Sequence, residues 1–283
     1  MLKYKLAEIM EDQQEIERPF FKDVEVLFSE FVEFYGGNVI DQLEENLTDR
    51  LNADYFFQKQ ITIAELKTFK KDIFSEAEDV PRFDELLRKW ASNKMITQKQ
   101  LRDYLARKKG LPQKCLNDLI NIASRTSERA IHKANKQIEE SKKTLNTPKA
   151  SGIVFLINDG NYFFTTEGFL QITANLIARK FKESSFDVVI YITINQTTRK
   201  EGSELDYNFW IPIYTKVDEN GETIVTDEFH QFVNDLGKRF QIDFLTSKTG
   251  YELKDHIKIE NLTDAVEELK NHSFIPKDII YKR

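Results

Sequence analysis

Three residues in this chain have the types and the spacing to do chemistry together: Asp54, Glu65 and Lys67. Asp54 lies in Asn52-Ala53-Asp54-Tyr55-Phe56-Phe57, and the other two lie in Ile61-Thr62-Ile63-Ala64-Glu65-Leu66-Lys67-Thr68-Phe69. Both segments are rich in β-branched and aromatic residues and read as adjacent strands. Strand side chains alternate between faces, so Glu65 and Lys67 emerge on the same side. A hairpin would bring Asp54 beside them, placing two carboxylates and one ammonium at one point of an otherwise apolar sheet. Hard divalent cations such as Mg²⁺ bind oxygen ligands, often one or two carboxylates plus a substrate phosphate. Such an ion activates water and offsets charge developing on a phosphate. In this reading Asp54 and Glu65 are metal ligands and the backbone carbonyl of Leu66 supplies a further one. Lys67 orients the attacking water or stabilises charge at phosphorus.

The idea constrains the turn. Asp54 shares a face with Glu65 only if directly paired residue numbers sum to an odd number. That requires a two- or four-residue turn near Gln58–Ile61, or a bulge; a three-residue turn puts Asp54 on the wrong side. Gln58-Lys59-Gln60 contains neither Gly nor Asn and leaves the turn type open. The plainer reading of Glu65 and Lys67 is a solvated ion pair worth less than ~1 kcal/mol. Against it, Ile61, Ile63, Leu66 and Phe69 imply a strand buried on both faces, where unpaired charge is costly.

The elements that must position these residues follow from periodicity. Val24, Leu27, Phe28, Phe31, Val32 and Tyr35 recur at helical spacing and end at Gly36-Gly37. Val39, Ile40, Leu43 and Leu47 predict a second helix, to about Asp49. From Asp72 to about Leu145 the pattern is helical throughout, with helices over Phe83–Lys94, over Thr97–Lys109 with Thr97 as N-cap, and from near Pro112 onward. Gly152 to Ile157 reads as a strand ended by the turn Asn158-Asp159-Gly160-Asn161, where a turn explains the residues better than a metal loop. A helix over about 166–182 and a strand over 187–193 complete a strand–helix–strand crossover, which implies parallel pairing. Residues 196–206 read as loop, Tyr207–Lys216 with Thr223–Val225 as a hairpin, and Asp227–Phe240 as a helix. The expected class is α/β, one domain over 1–283, with a helical insertion at 72–124 and a C-terminal hairpin and helix extension at 207–283.

Composition narrows the chemistry. The single cysteine, Cys115, excludes an internal disulfide and a cysteine-only zinc site, and four scattered histidines argue against a histidine-built centre. No signal-like or membrane-length apolar run is present, so a cytoplasmic protein without a membrane partner is expected. The net charge of −6 speaks against nucleic acid, but it is unevenly placed. Between Lys94 and Lys143, thirteen Lys and Arg face five acids, leaving +8 on that segment. Within it Arg125, Arg129, Lys133 and Lys136 form one stripe of a helix, which is either a solvated face or a track for phosphates. Trp90 and Trp210 are expected in the core or at an interface, with base stacking by Trp210 or Tyr207 as the lesser alternative, and Cys115 is expected to be buried. No helix-turn-helix or C₂H₂ finger stands out.

An Asp, a ten-residue spacer and Glu-x-Lys on the next strand resembles the signature of the PD-(D/E)XK nuclease superfamily, the restriction-endonuclease-like fold; its proline is Ala53 here. The resemblance covers roughly 20–70 and 125–195. It implies a mixed central sheet flanked by helices and hydrolysis of phosphodiester bonds, in DNA more than RNA, with Mg²⁺ or Mn²⁺. It further implies a polar residue on the helix after the Glu-x-Lys strand, for which Gln137 in Lys133-Ala134-Asn135-Lys136-Gln137-Ile138 is the match. An acid on the N-terminal helix is implied too, Glu44 or alternatively Glu45. Restriction, phage defence or repair, and a homodimer built through the insertion, follow by analogy with the fold. The alternatives are a catalytically inactive nucleic-acid-binding protein on the same fold, and a structural subunit of a larger complex.

Overall fold

The computed structural model describes residues 20–43, 52–70, 80–105, 109–160, 166–200, 202–203, 206–218, 223–250, 262–269 and 272–274. The first helix, α1 (Val24–Tyr35), starts where Asp23 accepts hydrogen bonds from the backbone N–H groups of Glu25 and Val26. It stops where Gly36 adopts φ 92° and the N–H of Gly37 closes back on the Val32 carbonyl. Its stripe of Val24, Leu27, Phe28, Phe31 and Val32 is buried.

The helix predicted from Val39 to about Asp49 begins instead as β1 (Asn38–Val39) followed by a 3-10 turn over Ile40–Gln42, and residues 44–49 lie outside the described residues. Two residues are too few for a strand to show alternation, and the apolar spacing of Val39, Ile40 and Leu43 mimicked a helix. β1 pairs antiparallel with β2 (Tyr55–Phe57), which pairs antiparallel with β3 (Thr62–Phe69). Two helices follow, α2 (Val80–Ser92) and α3 (Gln98–Leu105), and then the long α4 (Gln113–Thr144). β4 (Ser151–Asp159), α5 (Thr166–Lys180) and β5 (Val188–Ile194) form the expected crossover, and β3, β4 and β5 run parallel. Asn158 and Asp159 extend β4 rather than forming a turn; the chain bends at Gly160, φ 67°.

The C-terminal segments depart further from expectation. Residues 196–206 are not all loop: β6 (Thr198–Lys200) pairs with β7 (Asp206–Tyr207) and with β9 (His272–Phe274) in a small three-stranded sheet. β8 (Trp210–Tyr214) does not pair with 223–225 as a hairpin arm. It adds antiparallel to β5 as the sixth strand, and a single bridge, Val217 with Thr223, remains of the expected hairpin. α6 (Asp227–Lys238) runs through a π-helical stretch, Arg239–Phe244, into α7 (Leu245–Thr249), and α8 (Leu262–Leu269) precedes β9. Phe240 and Phe244 keep that stretch against α1, where each packs on Phe31.

The result is an α/β layer structure around a mixed, open six-stranded sheet ordered β1-β2-β3-β4-β5-β8. One face, with Ala64, Leu66, Phe155 and Ile190, lies under α1 and α6. The other, with Ile63, Val154, Leu156 and Tyr191, lies under α5 and the C-terminal half of α4, through Ile131, Ala134 and Ile138. The insertion carries a small core of its own, built around Leu86, Trp90, Cys115 and Leu119. Among the described residues no helix is long and apolar enough to cross a membrane.

Phe57 pairs with Thr62, so the β2–β3 turn has four residues, and Ile61 closes it at φ 46°. A β-branched residue in the left-handed region is strained, and Ile61 is more than half exposed, so its side chain returns little. Ile61→Asn therefore relieves about 1 kcal/mol of strain. A chemical-denaturation midpoint above that of the parent protein is expected; a lower one shows that the turn does not need this conformation.

Candidate active site

The directly paired residues of β2 and β3, Tyr55 with Ala64 and Phe56 with Ile63, sum to an odd number. One step further along the same register, Asp54 lies opposite Glu65, and both share the face of β3 that also bears Lys67. The carboxylate Oδ2 of Asp54 accepts the backbone N–H of Leu66 at 2.7 Å. In a strand the N–H and C=O of one residue point to the same edge. The Leu66 carbonyl therefore points past the end of β2, toward the same opening as Asp54.

Glu65 is 1% exposed. Its Oε1 accepts from the Lys67 ammonium, while Oε2 is buried without a hydrogen-bond partner. Lys67 also donates to Gln137 Oε1 at 2.9 Å, and Gln137 Nε2 donates to the carbonyl of Asn52 at 2.7 Å. One turn on along α4, Ser141 Oγ accepts the backbone N–H of Ala53 at 2.7 Å. Two side chains of a single helix face thus grip the backbone immediately before Asp54. Asn52 and Ser141 were not expected in this role; only the i, i+4 spacing of Gln137 and Ser141 hinted that both face one way.

Burial, and next the charge of Asp54, push the Glu65 carboxyl up to about 8, with Lys67 acting in the opposite direction. Burial raises Asp54 as well, while the N–H of Leu66 pulls it down. Two buried carboxylates facing each other favour one shared proton over two negative charges. A divalent cation relieves the same repulsion. The buried, partnerless Oε2 of Glu65 and the hard-oxygen donors Asp54, Glu65 and Leu66 carbonyl fit Mg²⁺ or Mn²⁺. Among the described residues no cluster of three or more His, Cys, Asp or Glu forms a metal cage. Glu44 and its alternate Glu45 lie outside the described residues.

Arg125, Arg129, Lys133 and Lys136 are exposed on α4 and, with Glu128 and His132, line an open depression. On the helix Lys133 lies one turn before Gln137, so the stripe ends beside the residue that contacts Lys67. Glu128 in turn is tied to Lys180 of α5 at 2.5 Å. Trp90 and Cys115 are buried in the insertion core, and Trp210 packs on Phe155 and Phe240. No known protein family, characterised protein or solved structure gives a significant match to this chain.

Two outcomes follow. Ser141→Ala leaves the Ala53 N–H buried and unpaired, which costs about 1–3 kcal/mol; urea denaturation measures it, and an unchanged midpoint removes Ser141 from the clamp. For Glu65, the folded-state value lies above the ordinary carboxylate value of 4.5. Its contribution is then fully present below about 4.5 and lost as pH rises through about 8. In EDTA, the melting temperature of the parent relative to Glu65→Gln should fall across that window. A constant difference would mean that Glu65 is not held protonated.

Proposed function

We propose that this protein is a metal-dependent nuclease of the restriction-endonuclease-like type, hydrolysing phosphodiester bonds, most naturally in DNA. The observation that carries the reading is the convergence of Asp54, Glu65, Lys67 and Gln137 on one face of β3, with an oxygen of Glu65 buried and unpartnered. A purely structural ion pair gives no reason for a second carboxylate at Asp54. In this reading Asp54, Glu65 and the Leu66 carbonyl hold Mg²⁺ or Mn²⁺, which when bound supplies Lewis acidity and lowers the pKa of water. Lys67 sits where its ammonium can orient a water or offset negative charge at a phosphate oxygen. Gln137 fixes the Lys67 ammonium from the far side and, through Asn52, holds the strand that bears Asp54. Arg125, Arg129, Lys133 and Lys136 offer phosphate contacts leading to the site. A homodimer fits cleavage of both strands of a duplex, and restriction, phage defence or repair are settings in which such an activity is used.

A second reading is a nucleic-acid-binding protein without turnover. It is favoured by one observation, the direct contact between the Lys67 ammonium and Glu65, which occupies an oxygen that a metal would take.

Cleavage of supercoiled plasmid, linear duplex, single-stranded DNA and RNA, each with Mg²⁺, Mn²⁺ or EDTA, separates the two. The parent protein should cut with either metal and not in EDTA, and Lys67→Ala should lose about two orders of magnitude or more in rate. Substrates left intact by the parent protein, or cut equally well by the variant, would overturn the catalytic assignment.

A further inference from the structure

The insertion has a face that the site chemistry does not use. α2, α3 and the first turns of α4 share one small core, to which Leu86 and Trp90, then Leu101, then Cys115 and Leu119 contribute in order. The Trp90 indole N–H donates to Asp118 at 2.9 Å, tying α2 to α4. α3 begins with a reciprocal cap: Thr97 Oγ1 accepts the N–H of Gln100, and Gln100 Oε1 accepts the N–H of Thr97. A short helix and a second helix, joined by the seven residues 106–112, are seated on a common core, and this leaves one face of the second helix outward.

That outward face is the informative one. On α4 the inward residues are Cys115, Leu119 and Ile122, at i, i+4 and i+7. On the opposite side, at i, i+4, i+8 and i+11, stand Gln113, Asn117, Asn121 and Ser124, and the first three are exposed. Asn is a poor helix former, and only part of that cost is offset where Gln113 Nε2 donates to Asn117 Oδ1 at 2.9 Å. Amide side chains do, however, present a donor and an acceptor together, which is what adenine offers at its major-groove edge. Exposed Leu116, at the margin of this face beside Gln113, suits a thymine methyl group. The surroundings are strongly basic: residues 80–125 hold eleven Lys and Arg against four acids, in a chain of net charge −6.

We propose that the insertion is a reading head for duplex DNA, with Gln113, Asn117 and Asn121 entering the major groove and Lys99, Arg102 and Lys114 holding flanking phosphates. The proposal deepens the nuclease reading and rests on it for the choice of nucleic acid. Asn117 and Gln137 are twenty residues apart on one uninterrupted helix, a separation of about 30 Å. An unbroken helix therefore holds the bases read at a fixed distance from the bond at the site.

The test uses the full chain in EDTA, so that no cleavage occurs. Bound duplexes are selected from a randomised pool, and affinity for the enriched sequence and for an unselected duplex is measured by fluorescence anisotropy. An enriched sequence is expected, on which N117A combined with N121A loses ten- to a hundred-fold in affinity while binding the unselected duplex unchanged. Arg102→Ala should weaken both duplexes alike and lower the salt dependence by about one phosphate contact. No enriched sequence, an enriched sequence indifferent to the double variant, or equal competition by duplex RNA, whose deep groove excludes a helix, would each overturn the proposal. Sequence-selective binding without any metal-dependent cleavage would overturn only the catalytic reading. Cleavage without sequence-selective binding would overturn only this one.

Discussion

The burial of one carboxylate governs the architecture around it. Glu65 is 1% exposed, in the middle strand of a sheet whose neighbouring positions are apolar. Removing a carboxylate from water costs several kcal/mol after relaxation, and a single partner repays that only with good geometry. Lys67 satisfies one oxygen and the other stays buried and unpaired. A fold optimised for stability alone would place an apolar residue at this position, as it does at Ile63 two positions earlier. The retained cost is a local conflict that the proposed nuclease site accounts for and packing alone does not.

Whether Glu65 has company depends on the turn. With four residues between Phe57 and Thr62, Asp54 falls on the face of Glu65; with three, it would point among the aromatic side chains under α1. The turn is held at the expense of an isoleucine in the left-handed region. It is reinforced from the other end, where Ser141 and Gln137 take up the Ala53 N–H and the Asn52 carbonyl. Residues 52–54 are thus fixed by three elements: α4, β3 through the Leu66 N–H, and the 3-10 turn through the bond from the Ile40 N–H to the Asp54 carbonyl.

Asp54, Glu65 and Lys67 were legible because residue type and spacing survive in the sequence, and the odd-register condition could be stated before the turn length was known. The crossover from β4 to β5 was legible for the same reason, since alternation and period are local. What could not be read was partnership. Trp210–Tyr214 looks like a strand, but nothing local says that it pairs with β5 rather than with 223–225. β1 and the strands of the small sheet are two or three residues long, below the length at which a period exists. Asn52 carries no signal and Ser141 only its i, i+4 spacing from Gln137, because a clamp on backbone atoms places its demand on position rather than on a motif.

The insertion's own packing core escaped for a geometric reason that also explains how α4 works. Its thirty-two residues contain neither Gly nor Pro and run without a break. The inward residues of its first turns, Cys115, Leu119 and Ile122, and those of its second half, Ile131, Ala134 and Ile138, lie about a third of a turn apart around the axis, at 100° per residue. Averaged over the whole helix, the two apolar stripes blur one another, and neither reads as the seam of a separate packing unit. The same offset puts the insertion and the sheet on different sides of one rod. Its Gln113–Asn121 face and the Gln137–Ser141 face are then held at a fixed angle and distance by a structure that has no internal hinge.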